Sequence, residues 1–386
     1  MKKIKLLRIA TETYSLHILL RGQLDFMQQN GFEVFMASSP DDKVPALIEQ
    51  QNAEFFPLPL SRKFTLFQDF WALYQTIVLI LKIKPQIVHT HSPKAGIVGM
   101  LAAFLCRVPL KVHTVAGLPL METTGAKRKL LNAVESLTYY CADWVLPNSN
   151  HLKNFIIDNK LSGNSERLRV LGNGSSNGIN VNYFSVSEHL RQEGQLFKES
   201  FGIATNSIIL SFVGRLANYK GINELVEAFE VLQASHNNLY LLLIGAHEEL
   251  NPLKDSTKSS IQNNKSIIAV GHQQDVRKYL TISDIFVFPS YREGFPQALM
   301  QACAMEVPSI ATHINGCNEI IIDKVTGILI EPKSIAKIVG ACDFLIKNKA
   351  LRHEMGQKAR QHVIRHFEQQ SLWKTIMDFY KEKMYN

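Results

Sequence analysis

The stretch DIFVFPSYREGFPQALMQACAMEVPSIATH, residues 284–313, contains the repeating unit from which the fold follows. An apolar, β-branched run ends at Ser290, a helical pattern begins near Pro296, and a second apolar run follows Glu306. Two short buried strands joined by a helix are typical of a parallel sheet, because a parallel connection has to cross over the sheet. The stretch therefore predicts a strand–helix–strand unit of an α/β protein.

The same alternation extends along the whole chain and starts again after residue 202. The predicted strands are, in chain order, IKLLRIA, EVFMASS, EFFPLPL, QIVHTHS, LKVHTVA, DWVLPNS and LRVLGN in the first half, and SIILSFVG, LYLLLIG, SIIAVG, DIFVFPS, VPSIATH and TGILIEP in the second. Parallel sheets are covered by helices on both faces. The sequence therefore predicts an α/β protein of two doubly wound, Rossmann-like lobes.

The polar stretch 182–202 separates the two halves and predicts the crossing between the lobes. We expect an N-terminal, acceptor-side lobe over 1–185 and a C-terminal, donor-binding lobe over 186–369. A final helix over about 370–386 is expected to pack back onto the first lobe. Within the first lobe, residues 16–31 carry one continuous helical pattern.

The composition is that of a globular protein, with 386 residues, 46% hydrophobic and 20% charged. Its five cysteines are scattered and form no CxxC pair, so we expect neither disulfides nor a zinc site, and a cytoplasmic location. The longest apolar run, FWALYQTIVLILKIK at 70–84, contains Gln75 and is shorter than the roughly 20 residues that a membrane-spanning helix needs.

The chain is basic, with 42 lysines and arginines against 34 acidic residues and a net charge of +8, which favours anionic partners. Basic residues are dispersed and no aromatic-basic repeat accompanies them, so we do not expect nucleic acid. The segment 117–140 joins apolar residues to Lys127, Arg128 and Lys129, which is compatible with peripheral contact to an anionic membrane. A helix with a solvated basic face explains the same segment equally well.

A glycine and two basic residues follow the first predicted strand of the second lobe, in SFVGRLANYKGINELVEAF at 211–229. The strand ends at Gly214, Arg215 follows, and Lys220 lies just before the next helix. Glycine permits close backbone approach and the two cations can bind phosphate oxygens, so we predict a diphosphate site held by side chains. An exposed basic loop is the alternative.

A carboxylate and a helix start lie at the end of another strand of this lobe. Glu293 follows the strand that ends at Ser290, and Pro296 suits the first position of the next helix, whose amides can bind an anion. Carboxyl ends of parallel strands meet at one sheet edge, so we expect Glu293 near the basic pair, where it can bind sugar hydroxyls. A solvated glutamate that caps the helix is the alternative.

His89 and His91 alternate along one predicted strand and face the same side, as a metal-binding pair would. No third ligand stands at a suitable spacing, and the chain contains no DxD sequence. We therefore expect no metal site.

Several segments together resemble the retaining glycosyltransferases of family 4. In chain order, these segments are VHTHSPKAGIVGMLAA, LKVHTVAGLP, VLPNSNHLKNFI, GNGSSNGINVNYF, GRLANYKG and YREGFPQALMQACAMEVPSIATHINGCNEII. The resemblance covers nearly the whole chain and implies the GT-B fold, in which two Rossmann-like lobes face a central cleft. It is greatest toward enzymes that assemble bacterial capsule and O-antigen polysaccharides on lipid carriers.

The resemblance implies roles for the matching residues of the second lobe. Arg215 and Lys220 match the pair that holds the donor diphosphate, and Glu293 matches the acid beside the donor sugar. Gln301 stands where the family has a second glutamate, which binds the ribose. The other donor-binding positions that we predict are Gly214, Gly294, Phe295, Pro296 and His272.

In the first lobe, His113 matches the histidine beside the transferred sugar, and Thr114 replaces the aspartate that usually follows it. The implied reaction transfers a hexosyl or N-acetylhexosaminyl unit from a nucleotide sugar to a lipid-linked or oligosaccharide acceptor. The donor is expected to be a UDP-sugar, with a GDP-sugar as the alternative. No cofactor and no metal are implied.

Two other functions stay open for a chain of this pattern. The glutamine at 301 is compatible with a catalytically silent binding subunit. A sugar-nucleotide epimerase of similar fold would need carboxylates placed for proton abstraction, and no convincing pair is found.

Overall fold

The computed structural model describes residues 3–61 and 65–385. They form two compact units, the first made of Met1–Gly178 and Gln369–Asn386 and the second of Ile179–Glu368. The chain thus leaves the first unit after Gly178 rather than after residue 185. The stretch 182–202, expected to be the crossing between the lobes, contains a regular helix, in which the buried residues Leu190, Gly194 and Lys198 recur every four positions along one face.

The first unit contains a six-stranded parallel sheet in the order β3-β2-β1-β4-β5-β6. The strands are β1 (Ile4–Glu12), β2 (Phe32–Ser39), β3 (Glu54–Pro57), β4 (Ile87–His91), β5 (Leu110–Val115) and β6 (Trp144–Pro147). The helices are α1 (Gln23–Gln29), α2 (Val44–Gln51), α3 (Leu66–Ile83), α4 (Pro93–Leu105), α5 (Gly125–Cys141) and α6 (Asn150–Asp158). Short 3₁₀ segments cover Pro119–Glu122 and Ser165–Arg167.

The helix predicted over 16–31 is interrupted. A π-helical turn over Ser15–Leu19 precedes α1, and the chain bends between them at Gly22, which has φ +77. A Cβ at this glycine would stand 2.8 Å from the Trp373 ring, so a residue of a distant helix packs on the chain where the pattern is interrupted.

The segment LRVLGN, predicted as a seventh strand of the first half, is not a strand. Its only sheet-like contact among the described residues is a single bridge between Leu168 and Val145. The chain then turns away from the sheet, because Gly172 and Gly174 have φ values of +58 and +99.

The core of the first unit lies on both faces of the sheet. Along β1, Leu7 and Ile9 pack under α3, α4 and α5, whereas Leu6 and Ala10 face the opposite side. Successive strand residues point to opposite faces. Arg8 therefore lies on the same face as Leu6 and Ala10, where it is fully buried.

The second unit contains another six-stranded parallel sheet, in the order β12-β11-β10-β7-β8-β9. The strands are β7 (Ile208–Val213), β8 (Leu239–Ile244), β9 (Ile267–Ala269), β10 (Ile285–Phe288), β11 (Ser309–Thr312) and β12 (Gly327–Ile330). The helices are α7 (Glu188–Ser200), α8 (Ile222–Gln233), α9 (Asp255–Asn263), α10 (Arg277–Thr281), α11 (Gln297–Ala304), α12 (Cys317–Ile320), α13 (Ile335–Lys347) and α14 (Lys349–Phe367). A 3₁₀ turn covers Asn218–Lys220. All six strands predicted for this half are present.

The chain returns to the first unit as α15 (Gln369–Tyr385). Trp373 Nε1 donates a hydrogen bond of 2.7 Å to Asn177 Oδ1, and Tyr380 is fully buried. The last helix therefore forms part of the core of the first unit. Among the residues described, no helix has the length and apolar character that crossing a bilayer requires.

In the second unit, the loop after β7 lies directly against the end of β10. The Tyr291 N–H donates to the Tyr219 carbonyl oxygen at 2.8 Å. Gly221 has φ +72, and a Cβ there would stand 2.2 Å from the Pro289 carbonyl oxygen. Only glycine allows this approach, so Gly221 determines how closely the loop packs on the strand.

Gly221→Ala is expected to destabilise the protein more than Gly271→Ala. The two glycines have φ values of +72 and +69, so each alanine costs about 1–2 kcal/mol for the left-handed conformation. At Gly221 the new Cβ also meets backbone, which adds about 1–3 kcal/mol of overpacking, whereas Gly271 has nothing within 4 Å. Urea unfolding measures both variants, and equal losses would contradict a role for the close approach.

Candidate functional site

The carboxyl edge of the second sheet has a topological switch point between β7 and β10. From β7 the chain adds β8 and β9 on one side, and it then returns to add β10, β11 and β12 on the other. The loops after the two adjacent strands diverge at such a point and leave a crevice, which is where α/β proteins bind ligands. Residues just after β7 and β10 therefore line the candidate site.

Lys220 and Glu293 form a buried ion pair at this point. Lys220 Nζ lies 2.5 Å from Glu293 Oε1, and the two side chains are only 14% and 12% exposed. The sequence pattern predicts both residues here, with Lys220 on the diphosphate and Glu293 on sugar hydroxyls. In the structure, the two side chains bind each other. An ammonium group has three N–H donors, so Lys220 can keep this bond and still donate to a phosphate oxygen.

Asn315, which was not predicted from the sequence, holds the turn that carries Glu293. Its Nδ2 donates to the carbonyl oxygens of Glu293 and Gly294 at 2.9 and 3.3 Å. Asn315 is buried in the loop after β11, the strand next to β10. The signal for it was the Asn-Gly pair that follows the predicted strand VPSIATH, since this dipeptide is typical of turns.

Arg215 stands at the same sheet edge and pairs with Glu248, from the loop after β8. Its side chain is 59% exposed, so this pair contributes little to stability. The Tyr219 ring has three cations around it, namely Arg215, Lys220 and Arg292, at 5.6, 5.5 and 4.3 Å from its centroid. The structure thus gathers positive charge around an aromatic residue that the sequence did not single out.

The helix start predicted at Pro296 lies one residue later. Pro296 has ψ 111, which is not helical, so it is the N-cap and α11 begins at Gln297. The Phe295 ring packs 5.4 Å from the Phe367 ring in the core, which leaves its backbone as the part that can contact a ligand. Gln301 is half-buried in the second turn, and its neutral amide can both accept and donate hydrogen bonds.

Gly214 and His272 complete the predicted donor-binding set. Gly214 directly follows β7, and His272 stands exposed in the loop after β9, the edge strand. All the predicted residues of this unit therefore lie at or after carboxyl ends of strands in one sheet. Lys220 and Glu293 are in contact, while His272 lies two strands away from β7.

The first unit has a cavity of its own beyond the carboxyl ends of β4 and β5. The ends of both strands, the π-helical turn and Glu135 of α5 contribute to its walls. The polar and titratable residues of the lining include Ser15, His91, Ser92, His113, Thr114 and Glu135. His113, predicted beside the transferred sugar, therefore opens onto a cavity.

His113 is buried in the wall of this cavity and held by two neighbouring elements. Its Nδ1 lies 2.7 Å from the Thr90 hydroxyl oxygen. Gly96 of α4 lacks the Cβ that would stand 2.5 Å from the ring, so the helix can pack against the imidazole. Burial lowers the pKa of His113 to about 3, so the ring is neutral at neutral pH and is suited to hydrogen bonding.

Arg8, which was not predicted, determines how the two neighbouring histidines are protonated. Its guanidinium lies 2.5 Å from His89 Nδ1 and also contacts His91 Nε2. A guanidinium can only donate, so both nitrogens accept, and the His89 proton lies on Nε2, 2.7 Å from the Thr114 hydroxyl. Burial and the Arg8 charge lower the pKa of both histidines far below the usual value. His89 and His91 therefore accept hydrogen bonds from a buried arginine.

Two family descriptions match separate parts of the chain. "Glycosyl transferase 4-like domain" matches residues 20–174, which lie within the first unit. "Glycosyl transferases group 1" matches residues 195–362, which lie within the second.

Two named proteins are similar to this chain along nearly their full lengths. It is 31% identical to "Capsular polysaccharide biosynthesis glycosyltransferase CapM" of Staphylococcus aureus, over 100% of this chain and 98% of that protein. It is 27% identical to "UDP-Gal:alpha-D-GlcNAc-diphosphoundecaprenol alpha-1,3-galactosyltransferase" of Escherichia coli, over 94% of this chain and 92% of that protein.

Solved structures share the fold. A glycosyltransferase from Rickettsia africae matches with a TM-score of 0.82 at 22% identity, over 100% of both chains. Anabaena Alr3699/HepE in complex with UDP matches with a TM-score of 0.81 at 16% identity, over 98% of this chain and 100% of that one. The chain therefore belongs to the group 1 glycosyltransferases with a 4-like N-terminal domain, and it has the GT-B fold of two Rossmann-like lobes.

Proposed function

We propose that the protein is a retaining glycosyltransferase that moves a sugar from a UDP-sugar to a lipid-linked glycan during bacterial envelope polysaccharide synthesis. The main support is the buried Lys220–Glu293 pair at the switch point of the unit that matches the group 1 glycosyl transferases. The pair places a cation that can bind phosphate beside a carboxylate that can accept hydrogen bonds from sugar hydroxyls. A sugar diphosphate carries both phosphate and hydroxyl groups.

The choice of substrates follows the named relatives. The Escherichia coli relative is named for a UDP-galactose donor and a GlcNAc-diphosphoundecaprenol acceptor. A Campylobacter jejuni relative, 25% identical over 73% of this chain, is named as an N-acetylgalactosaminyltransferase that acts on a diphospho-undecaprenol-linked sugar. We therefore propose hexosyl or N-acetylhexosaminyl transfer to a sugar on a lipid diphosphate.

In the proposed reaction, the acceptor hydroxyl oxygen bonds to the anomeric carbon while the bond from that carbon to the β-phosphate oxygen breaks. The electron pair stays with the phosphate, which takes the acceptor's proton. Arg215, Lys220 and the amides at the start of α11 stabilise the charge that develops on the phosphate, so the reaction proceeds without a metal or cofactor. In the first unit, His113 is a neutral group suited to hydrogen bonding with a sugar hydroxyl.

We infer a cytoplasmic protein that binds peripherally to an anionic membrane through its first unit. Adjacent helices of this unit carry large exposed apolar residues, which we call the aromatic face. The aromatic face consists of Phe67, Phe70, Trp71 and Tyr74 on α3, Phe104 on α4 and Tyr140 on α5. Exposed apolar residues and exposed lysines on the helices of one unit suit the interface of an anionic bilayer.

The basic segment of α5 contributes to this surface less than its sequence predicted. The Arg128 side chain is hydrogen-bonded within the unit, since it donates to the Leu120 carbonyl oxygen and to Asn159 Oδ1 at 2.5 and 2.9 Å. Lys127 and Lys129 remain exposed on the same helix.

A transfer assay tests the function. The protein is incubated with UDP-glucose, UDP-galactose or UDP-N-acetylglucosamine and with GlcNAc-diphosphoundecaprenol, with and without EDTA. We expect an α-linked product from one donor at an EDTA-independent rate, with the linkage assigned from the anomeric proton coupling by NMR. A β-linked product would overturn retention, an isomerised donor would indicate an epimerase, and binding without turnover would indicate a silent subunit.

Arg215→Ala is expected to weaken UDP binding about 10- to 100-fold, because a charge-assisted hydrogen bond contributes about 1.5–3 kcal/mol. Uridine binding, which involves no phosphate, should not change. Isothermal titration calorimetry measures both ligands. Arg191→Ala, which removes another exposed arginine of the same unit, is the matched control. Equal losses for UDP and uridine would contradict the diphosphate clamp.

Lys220→Ala should show the same selective loss of UDP affinity. It should also lower stability by about 3–5 kcal/mol, because Glu293 is left buried without its cation. Binding is therefore measured well below the melting temperature of the variant. Unchanged affinity for UDP would remove Lys220 from the proposed site.

Phe67→Ser is expected to weaken binding to phosphatidylglycerol-containing vesicles about tenfold, because burying a phenylalanine gains about 1.5–3 kcal/mol. Leu250→Ser, in the second unit, is the matched control, since both residues are 94% exposed and neither loses packing. Vesicle sedimentation measures the binding. Equal binding of the wild type to phosphatidylcholine vesicles would argue against electrostatic attraction, and equal effects of the two variants would exclude the aromatic face.

A further inference from the structure

A buried acid in the first unit has no role in the reaction proposed above. Glu135 lies on α5, is only 4% exposed, and lines the same cavity as His113. Among residues 3–61 and 65–385, no lysine or arginine pairs with its carboxyl group. The hydroxyl of Tyr139, one helical turn further along, lies beside it.

This environment is unfavourable for a carboxylate. Burial raises the pKa of Glu135 to about 7, and the neighbouring Tyr139 hydroxyl offsets only part of that effect. Fully buried glutamates are rare unless paired, since ionisation away from water opposes folding. An apolar residue at this position would favour folding, so folding alone does not account for an acid here.

The rest of the cavity suits a neutral ligand that carries hydroxyl groups. His91 and His113, on the neighbouring strands β4 and β5, stay neutral at neutral pH because burial lowers the pKa of each. The hydroxyl-bearing and apolar lining residues include Ser15, Ser92, Thr114, Leu19 and Leu118. A sugar ring presents both hydroxyl donors and an apolar face to such a lining.

We propose that Glu135 accepts a hydrogen bond from a hydroxyl group of a sugar bound in this cavity. Each unit then carries one sugar-binding acid, Glu293 in the second and Glu135 in the first. This inference rests on the proposed function, because it assumes that the ligands are sugars. The hydroxyl belongs either to the donor sugar or to the sugar of the acceptor, and the experiment below separates the two.

Sugar binding and the ionisation of Glu135 must then be linked. The carboxylate is the stronger acceptor, so a sugar binds the ionised form more tightly and lowers the apparent pKa of Glu135. Among the described residues, the other titratable groups that line or adjoin the cavity are His91, His113 and Tyr139, and none of them changes charge near pH 7. Arg8, which contacts His91 from β1, stays charged. The pKa values of His91 and His113 lie far below neutrality, and burial places that of Tyr139 far above it.

Infrared difference spectroscopy, wild type minus Glu135→Gln, follows the protonated carboxyl band of this residue during a pH titration. We expect a midpoint near 7 for the protein alone. A sugar ligand should lower the midpoint by about one pH unit, which corresponds to a tenfold preference for the ionised form. The probes are UDP, the three UDP-sugars named above, and GlcNAc-diphosphoundecaprenol in detergent.

The probes distinguish the two sources of the hydroxyl. A shift with a UDP-sugar but not with UDP assigns Glu135 to the donor sugar. A shift with the lipid-linked probe alone assigns it to the acceptor. These titrations need no turnover, so a failed transfer assay does not affect them. An unchanged midpoint with every probe, when thermal shift shows that at least one of them binds, overturns the proposal, as does the absence of any binding.

The stability of Glu135→Gln gives a second, independent readout. The native state holds the Glu135 proton up to about pH 7, above the pKa of an unfolded glutamate, so ionisation lowers wild-type stability as pH rises through this range. The glutamine variant should therefore melt at a higher temperature than the wild type above pH 7, while its sugar affinity falls. Glu49→Gln, an exposed helical position of the same unit, should change neither. A lower melting temperature for Glu135→Gln would indicate a structural role instead.

Discussion

In the second unit, the loop after β7 meets the end of β10 at Gly221, where the Pro289 carbonyl leaves no space for a side chain. The backbone hydrogen bond next to this contact fixes the loop relative to the strand. Lys220 immediately precedes the contact and is thereby held against Glu293. The positions of Lys220 and Glu293 therefore depend on one close approach between two backbone segments.

Both units bury charged or ionisable side chains. The Lys220–Glu293 pair is nearly enclosed, and a buried ion pair adds little net stability compared with apolar residues of similar size. In the first unit, Arg8 is fully buried against neutral partners, and Glu135 is buried without a cation. Each of these buried charged or acidic groups adds less to stability than apolar residues of similar size would.

Much of the architecture could be predicted from the sequence, because strand periodicity is a local property. All twelve strands of the two sheets follow from short apolar runs between helical patterns. The failures have long-range causes. The predicted helix over 16–31 is interrupted at Gly22, on which Trp373 packs, and nothing near Gly22 in the chain reveals that contact. The segment LRVLGN has strand composition but finds only a single bridging partner on the sheet.

The candidate site was predictable as a set of residues but not as a set of contacts. Strand ends place Arg215, Lys220 and Glu293 at one sheet edge, and the Lys220–Glu293 bond joins residues 73 positions apart. The support from Asn315 likewise depends on tertiary packing. In the first unit, the sequence pattern gives Glu135 as one polar residue of an amphipathic helix. Its position in a cavity wall is known only from the structure.

The discontinuity of the first unit has a consequence for its biogenesis. Tyr380, whose hydroxyl oxygen accepts a hydrogen bond from the Arg8 guanidinium, belongs to a helix that leaves the ribosome after the whole second unit. Domains generally fold as they are synthesised. Until the last helix is synthesised, the first lobe lacks the Tyr380 partner of Arg8 and the α15 residues that cover part of its sheet. The second lobe can already be folded at that stage. The lobe that begins synthesis first is the one that matures last.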